Sequence, residues 1–343
     1  MTPPERSEVG VGITPFQTDE EASIRLAVAA EQLGYGRFGA AEGWTHDAVV
    51  LLTRIAAVTS RIGLATAVLS VWSRTPAAIA MAAASLQRAS EGRFALGLGA
   101  SGGLLAEGLH GAHWHEPVGR MRATLVAVKA LLDGDRLPLD REGVRPLRLG
   151  APPEGRVPII VAALAPPSIR VAGELADVWL PFLWARSRLD DGRALLAEGE
   201  AAAVGSTPTA VSPSVPLAIA EDEQAARRIA ASWLLAYLTR MGPLYPRTLR
   251  DQFGFGPEID ALLEANSGDG PPELPAAAER LAREVTLMAT YDEAPETIRL
   301  WLEAGADSVD LVLPLGMPEE QLKEMLEASA GRPGLQSERR GGS

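Results

Sequence analysis

Short apolar runs alternate with capped amphipathic segments along this chain, at a pace that constrains the fold more than any other feature of it. "VGVGITP" at 9–15 suits a buried strand. "TDEEASIRLAVAAEQLGYG" then opens on Thr18 and Glu21, a capping-box spacing, and ends on Gly34 and Gly36 as helices do. The pair repeats: a strand at 37–43, a helix over 46–60, a strand over 61–72, and a helix over 75–90. That last helix has Thr75 as N-cap and Pro76 at its first position. "RFALGLGAS" is the fourth strand. Units of this kind make a parallel sheet with helical crossovers.

After a Pro-rich excursion, "LPLDREGVRPLRLGAPPEG", the rhythm resumes with "VPIIVAALA" (157–165), "DVWLPFL" (177–183), "SVPLAIAED" (214–222) and "DSVDLVLPLG" (307–316). Eight strand candidates are the number that closes a (β/α)8 TIM barrel, the α/β fold expected here. An open doubly wound sheet stays as the alternative, because counting strands does not establish closure. Residues 223–300 are too long for an ordinary connection and read as an inserted helical region near the mouth, before the last strand. The expected organisation is one domain over 1–328 and a polar, Gly-rich, flexible tail over 329–343.

Composition narrows the function. Hydrophobic residues make up 47% of the 343, enough for a large core, and the net charge is -12. Only Lys129 and Lys323 are lysines, and no basic cluster resembles a nucleic-acid stripe, so no nucleic-acid partner is expected. The absence of cysteine removes disulfides, thiolate metal sites and cysteine nucleophiles. No apolar run approaches the ~18 residues of a membrane span and "MTPPERSEVG" has no apolar leader core. A cytoplasmic protein without membrane attachment is expected.

"GRFALGLGASGG" contains Gly97, Gly99 and Gly102 in the spacing of a dinucleotide-binding fingerprint. Such a fingerprint needs a helix after its third glycine and an acidic residue about 20 positions on. Here Gly108, Gly111 and Pro117 interrupt any helix, and no Asp or Glu occurs between Pro117 and Leu132. The motif also follows the fourth strand rather than the first. The glycines read better as a tight strand end whose small residues admit a planar ligand to the backbone.

Elsewhere, "AEGWTHDAVV" puts Glu42 at the end of the second strand and His46 in the loop beyond. Glu42 suits either the mouth of a barrel or the N-terminal dipole of the next helix, and one position can do both. Glu42 and His46 are the candidates for proton transfer or substrate orientation. His110, His113 and His115 in "HGAHWH" lack a helix to present them together and read as loop histidines, so no metal is expected. The turn at 161–170 offers a helix N-terminus to a phosphate, but Pro166 and Pro167 remove two donors.

Several stretches, in order, resemble the bacterial luciferase-like family of barrel oxidoreductases. They are "AEQLGYGRFGAAEGWTHDA", "LLTRIAAVTSRIGLATAVLSVWSRTPAAIAMAAASLQRASEGRFALGLGAS", "VPIIVAALAPPSIRVAGELADVWLPF" and "WLEAGADSVDLVLP". The closest flavour is the deazaflavin branch related to methylenetetrahydromethanopterin reductases. The resemblance implies coenzyme F420, with FMN as the alternative, a small-molecule substrate and a homodimer. It implies a bulged third strand with a non-prolyl cis peptide at Ala67-Val68 behind the cofactor ring, and Ser70 at the ring's polar edge. Gly99, Ala100 and Ser101 would line the same face, and Leu164 and Ala165 would hold phosphate.

The departures are as specific. Sugar-phosphate dehydrogenases of the family have a histidine where this chain has Gly43, and a glutamate where it has Gly102. The usual Gly-Pro-Lys turn reads Ala165-Pro166-Pro167. Three functions are therefore carried forward: hydride transfer between F420 and a small organic substrate, an FMNH2-dependent monooxygenase, and a non-catalytic barrel without its cofactor. For the last, Arg170, Arg186 and Arg188 would form a basic groove.

Overall fold

The computed structural model describes residues 8–139, 141–203 and 207–331. Its first half is β1 (Val9–Ile13), α1 (Glu20–Leu33), β2 (Arg37–Ala40), α2 (Ala48–Ala56), β3 (Gly63–Thr66), β4 (Leu69–Ser70), α3 (Pro76–Ala89), β5 (Phe94–Gly99), α4 (Gly103–Gly108) and α5 (Pro117–Leu132). The second half is β6 (Ile159–Ala162), α6 (Pro166–Leu175), β7 (Val178–Trp179), α7 (Leu189–Glu200), β8 (Ala210–Val211), β9 (Ser214–Ala220), α8 (Glu223–Arg240), α9 (Leu244–Arg247), α10 (Gly256–Ala265), α11 (Glu279–Val285), β10 (Leu287–Thr290), α12 (Ala294–Glu303), β11 (Val309–Val312) and α13 (Glu319–Ser329).

Local chemistry sets the boundaries. Thr75 caps α3 by accepting from Ala78 N at 3.2 Å, with Pro76 next, as the sequence predicts. At α1 the cap is Asp19 rather than Thr18: its carboxylate accepts from Ala22 N at 2.8 Å. A carboxylate one residue later than the threonine still reaches the open N–H groups, and its charge suits the positive end of the helix. Asp47 does the same for α2, accepting from Val49 N and Val50 N, so that helix begins after His46 rather than at it.

All strands pair in parallel. The order β11-β1-β2-β3-β5-β6-β7-β8 runs along one curled sheet, with β4 beside β5, and β11 also pairs β9. Only Ser212 and Pro213 separate β8 from β9. Ser212 N donates to Trp179 O and Asp310 N to Pro213 O, both at 2.9 Å. The two ends of the sheet thus share one stretch of chain, and the sheet curls back upon itself. The main hydrophobic cluster lies between its outer face and the helices, whereas a second cluster holds only Ala65, Ile160 and Leu180 as fully buried members.

The stretch expected to be helical over 223–300 is not wholly so. Strand β10 interrupts it and pairs in parallel with Leu217–Ala220 of β9, beyond the residues that pair β11. "VTLMAT" is too short for its period to distinguish strand from helix, so its β-character is visible only from its partner. Of the tail expected over 329–343, residues 332–343 lie outside those described. No helix among the described residues is long and apolar enough to cross a membrane.

Candidate active site

The third strand breaks where the site begins. Pairing with β5 passes from Ala65 opposite Ala95 to Leu69 opposite Leu98, so four steps on one strand meet three on the other. One residue is extra, the definition of a bulge. The Ala67-Val68 peptide inside it is cis, at the position the resemblance implies. Thr66 bridges the break: its hydroxyl accepts from Gly97 N at 2.8 Å and donates to Gly97 O at 2.9 Å. On the other side Ala67 N donates to Ala40 O at 2.8 Å and Glu42 N to Val68 O at 3.2 Å, which pins the bulge to the end of β2.

The glycines now separate by role. A Cβ on Gly97 would stand 1.9 Å from Thr66 O, and one on Gly99 would stand 2.9 Å from Val68 Cγ2. Both are needed for β5 to run beside the bulge. Gly102 has open space and merely precedes α4. Gly43 is explained as well: a Cβ there would meet Pro15 Cβ at 2.5 Å, so the histidine of sugar-phosphate dehydrogenases has no room.

Inside the curl is a cavity of about 170 Å³. One wall is Gly12, Gly39, Ala65, Ala67, Val68 and Ala162. Branched side chains ordinarily fill such a sheet's interior, and small residues at these positions leave it open. At the floor Arg37 is paired with Asp310 through two hydrogen bonds, and Ser212 donates to the same carboxylate at 2.7 Å. Gly10 makes this possible, because a Cβ there would lie 2.1 Å from Asp310 Oδ1.

Glu42 borders the cavity at its mouth, with its side chain 8% exposed. Both its oxygens accept from Arg74, one at 2.8 Å, and Oε2 also accepts from Ala48 N at 3.2 Å. The mouth reading and the helix-terminus reading therefore both describe its geometry. Arg74 also reaches Asp47 at 2.6 Å, and its hydrogen bonds to Glu42 raise its pKa above the usual value despite partial burial. Sequence reasoning missed Arg74, which carried no motif; proximity to Glu42 arises only when β2 and the end of β4 lie side by side.

The other expected residues are divided. Ala67 and Val68 line the cavity, but Ser70, Gly99, Ala100 and Ser101 do not. Ser70 accepts from Trp72 N at 3.2 Å, Trp72 Nε1 donates to Ala100 O at 2.8 Å, and Ser101 (φ 62°) turns the chain toward α4. His46 faces an adjacent shallow depression with Ser73, Arg74 and His110, and its Nε2 is buried with no partner among the described residues. Leu164 is buried and Ala165 is the N-cap of α6. Two prolines follow it, and Ser168 N turns back to Ala165 O at 2.9 Å, so the helix start presents few donors to an anion. His113 and His115 stack on each other, apart from His110's depression. Of the three arginines expected to form a basic groove, Arg170 pairs with Glu198 and Arg188 with Asp191.

The roof is aromatic and was not foreseen residue by residue. Phe182 packs 4.6 Å from Tyr237 and 6.0 Å from Tyr245, and the two tyrosine rings are 5.0 Å apart, centroid to centroid. Met241 completes this side. Burial pushes the Tyr245 phenol up to about 12 and that of Tyr237 well above its ordinary value, so both are neutral donors at physiological pH. The available signal was Trp233 and Tyr237 four apart on α8, a spacing that a core-facing stripe produces equally well.

The family described as luciferase-like monooxygenase matches residues 8–308 of the chain. A protein of Mycobacterium tuberculosis, provisionally named a coenzyme F420-dependent oxidoreductase, is 26% identical over 336 residues, covering 92% of this chain and 95% of its own. Among solved structures, the coenzyme F420-dependent tetrahydromethanopterin reductase of Methanopyrus kandleri superposes with a TM-score of 0.74 at 20% identity, over 94% of this chain and 97% of that one. The oxygenating constituent of 3,6-diketocamphane monooxygenase of Pseudomonas putida, in complex with FMN, gives 0.69 at 19% identity, over 96% and 100%. At those identities the two structures speak for the fold.

Proposed function

The chain belongs to the luciferase-like monooxygenase family, and on that premise we propose that it is an F420-dependent oxidoreductase exchanging a hydride with a small organic substrate in the cavity. The observation that carries the reading is the wall of Gly12, Gly39, Ala65, Ala67 and Val68. Side chains this small, at the carboxyl ends of parallel strands, leave a flat backbone surface against which a planar ring fits. The ring end of a deazaflavin or flavin therefore suits the residues present. The start of α6 suits a phosphate poorly, because prolines stand at its first two positions.

Bound there, the cofactor supplies the hydride chemistry, and the protein supplies position, electrostatics and exclusion of water. Ala67 and Val68 back the ring. Glu42, held by Arg74 and Ala48 N, is fixed in place at the mouth and orients what enters. His46 stands outside the cavity, beside the adjacent depression, with its Nε2 buried and unpartnered among the described residues. In the finer architectural reading, the curled sheet is an eight-stranded (β/α)8 barrel joined through Ser212-Pro213, with about 223–300 inserted before its last strand. The strand pairings on either side of that joint support it. The same reading takes the protein as a cytoplasmic homodimer, which sedimentation would check.

An FMNH2-dependent monooxygenase is the second reading, favoured by the description of the family whose model matches, luciferase-like monooxygenase. Titration of the purified chain with F420 and with FMN, followed by fluorescence, separates the two. Micromolar, one-to-one binding of F420 alone is the expected result. Binding of FMN alone turns the proposal to the second reading, and binding of neither overturns both.

A further inference from the structure

The charged groups that line the cavity are Arg37, Asp310 and Glu42. Arg37 and Asp310 satisfy each other, and Glu42 is held by Arg74. An ionic substrate would thus lose its water without gaining an unpaired opposite charge, an exchange that disfavours binding. The rest of the roof and rim is apolar, with Leu105, Phe182, Met241 and Val312 facing the same space. Four uncharged polar side chains break that surface: Thr14, whose Oγ1 accepts from Phe16 N at 3.3 Å, Ser214, Tyr237 and Tyr245. Tyr237 and Tyr245 both line the cavity, and neither hydroxyl makes a hydrogen bond among the described residues. A phenol so enclosed normally finds a partner.

We propose that Tyr237 and Tyr245 are the hydrogen-bond donors that anchor and orient the substrate, and that the substrate is an uncharged, largely apolar molecule bearing a carbonyl or hydroxyl oxygen. The inference rests on the cavity being the reaction site proposed above. Phe182, packed against both rings, holds them in register. Because both phenols stay neutral, they donate to an oxygen, and they favour negative charge that develops on it. Sugar phosphates and carboxylates fall outside this class.

Acetophenone and ethylbenzene are close in shape and differ by the carbonyl oxygen, which makes them a matched pair of probes. Saturation-transfer NMR titrations use the full chain, with and without saturating F420. The wild type binds acetophenone roughly three- to tenfold more tightly than ethylbenzene, the ratio one ordinary hydrogen bond confers. Tyr237→Phe and Tyr245→Phe each reduce that preference, and the double substitution removes it while ethylbenzene affinity stays unchanged. A merely structural role would shift both probes together. The inference fails if the wild type shows no preference, or if the preference survives in the double variant. Failure of F420 to bind, by contrast, strikes the cofactor reading and leaves the probe ratio as its own result.

Discussion

On the β1–β5 side of the cavity Gly12, Gly39, Ala65 and Ala67 bring backbone to the surface, whereas the side carried by α8 and α9 presents the rings of Tyr237 and Tyr245. On the first side, position follows from strand register: move Gly97 or Ala67 and a ladder hydrogen bond moves too. On the second, position follows from ring packing, and a hydroxyl can be added or removed without touching a strand. On the function proposed above, the cofactor would meet the part of the fold that tolerates little, and the substrate the part that tolerates more.

Gly97→Ala tests the intolerant side most severely. Its Cβ would meet the Thr66 carbonyl, which is backbone and cannot rotate away, so destabilisation on the order of 3 kcal/mol or more is expected in urea unfolding. Gly102→Ala, in the same sequence motif but in open space, should stay within about 0.5 kcal/mol. Equal effects at the two glycines would dissolve the distinction between them.

A middle effect is expected at the junction of the two sides. Arg74→Ala strips the guanidinium from a nearly buried Glu42, for a loss of about 1–3 kcal/mol in the same assay. Arg74→Lys should recover only part of it, since one ammonium cannot serve both carboxylate oxygens as the guanidinium does. Full recovery would mean that charge alone, without the forked geometry, holds Glu42 at the mouth.

The smallest effect should come from an ion pair remote from both sides. Arg25 first, and then Lys323, hold the Glu319 carboxyl at about 2, below its usual range. A folded pKa below the unfolded one stabilises the protein above about pH 4.3 and loses that contribution as pH falls toward 2. Glu319→Gln should lower the melting temperature slightly at pH 7, less than Arg74→Ala does, and the difference from wild type should shrink between pH 4 and 2. A difference that grows on acidification would contradict the assignment.

Legibility in the sequence follows the same division. The strands of the first half, the cap at Thr75 and the place of Glu42 could be read directly, because local period and capping chemistry determine them. The cis position came from the resemblance, and the physical need for Gly97 appeared only with Thr66 O beside it. Arg74, Tyr237 and Tyr245 were illegible for one reason: each acquires its role from a partner distant in sequence, and a helix stripe reads the same over a core as over a cavity. Strand β10 escaped for a related cause, being four residues whose pairing partner lies about 70 positions earlier.

The pairing of β10 with the far end of β9 has an engineering consequence. The chain leaves the curled sheet at Ala220 and returns beside the same strand at Leu287, so the intervening roof is stapled shut at its base by its own parallel pair. Any replacement for residues 223–286 must therefore keep what they give the sheet beneath: Trp233 Nε1, which donates to Leu217 O of β9 at 3.1 Å, and Ile229, Leu234, Leu281 and Val285 in the main core.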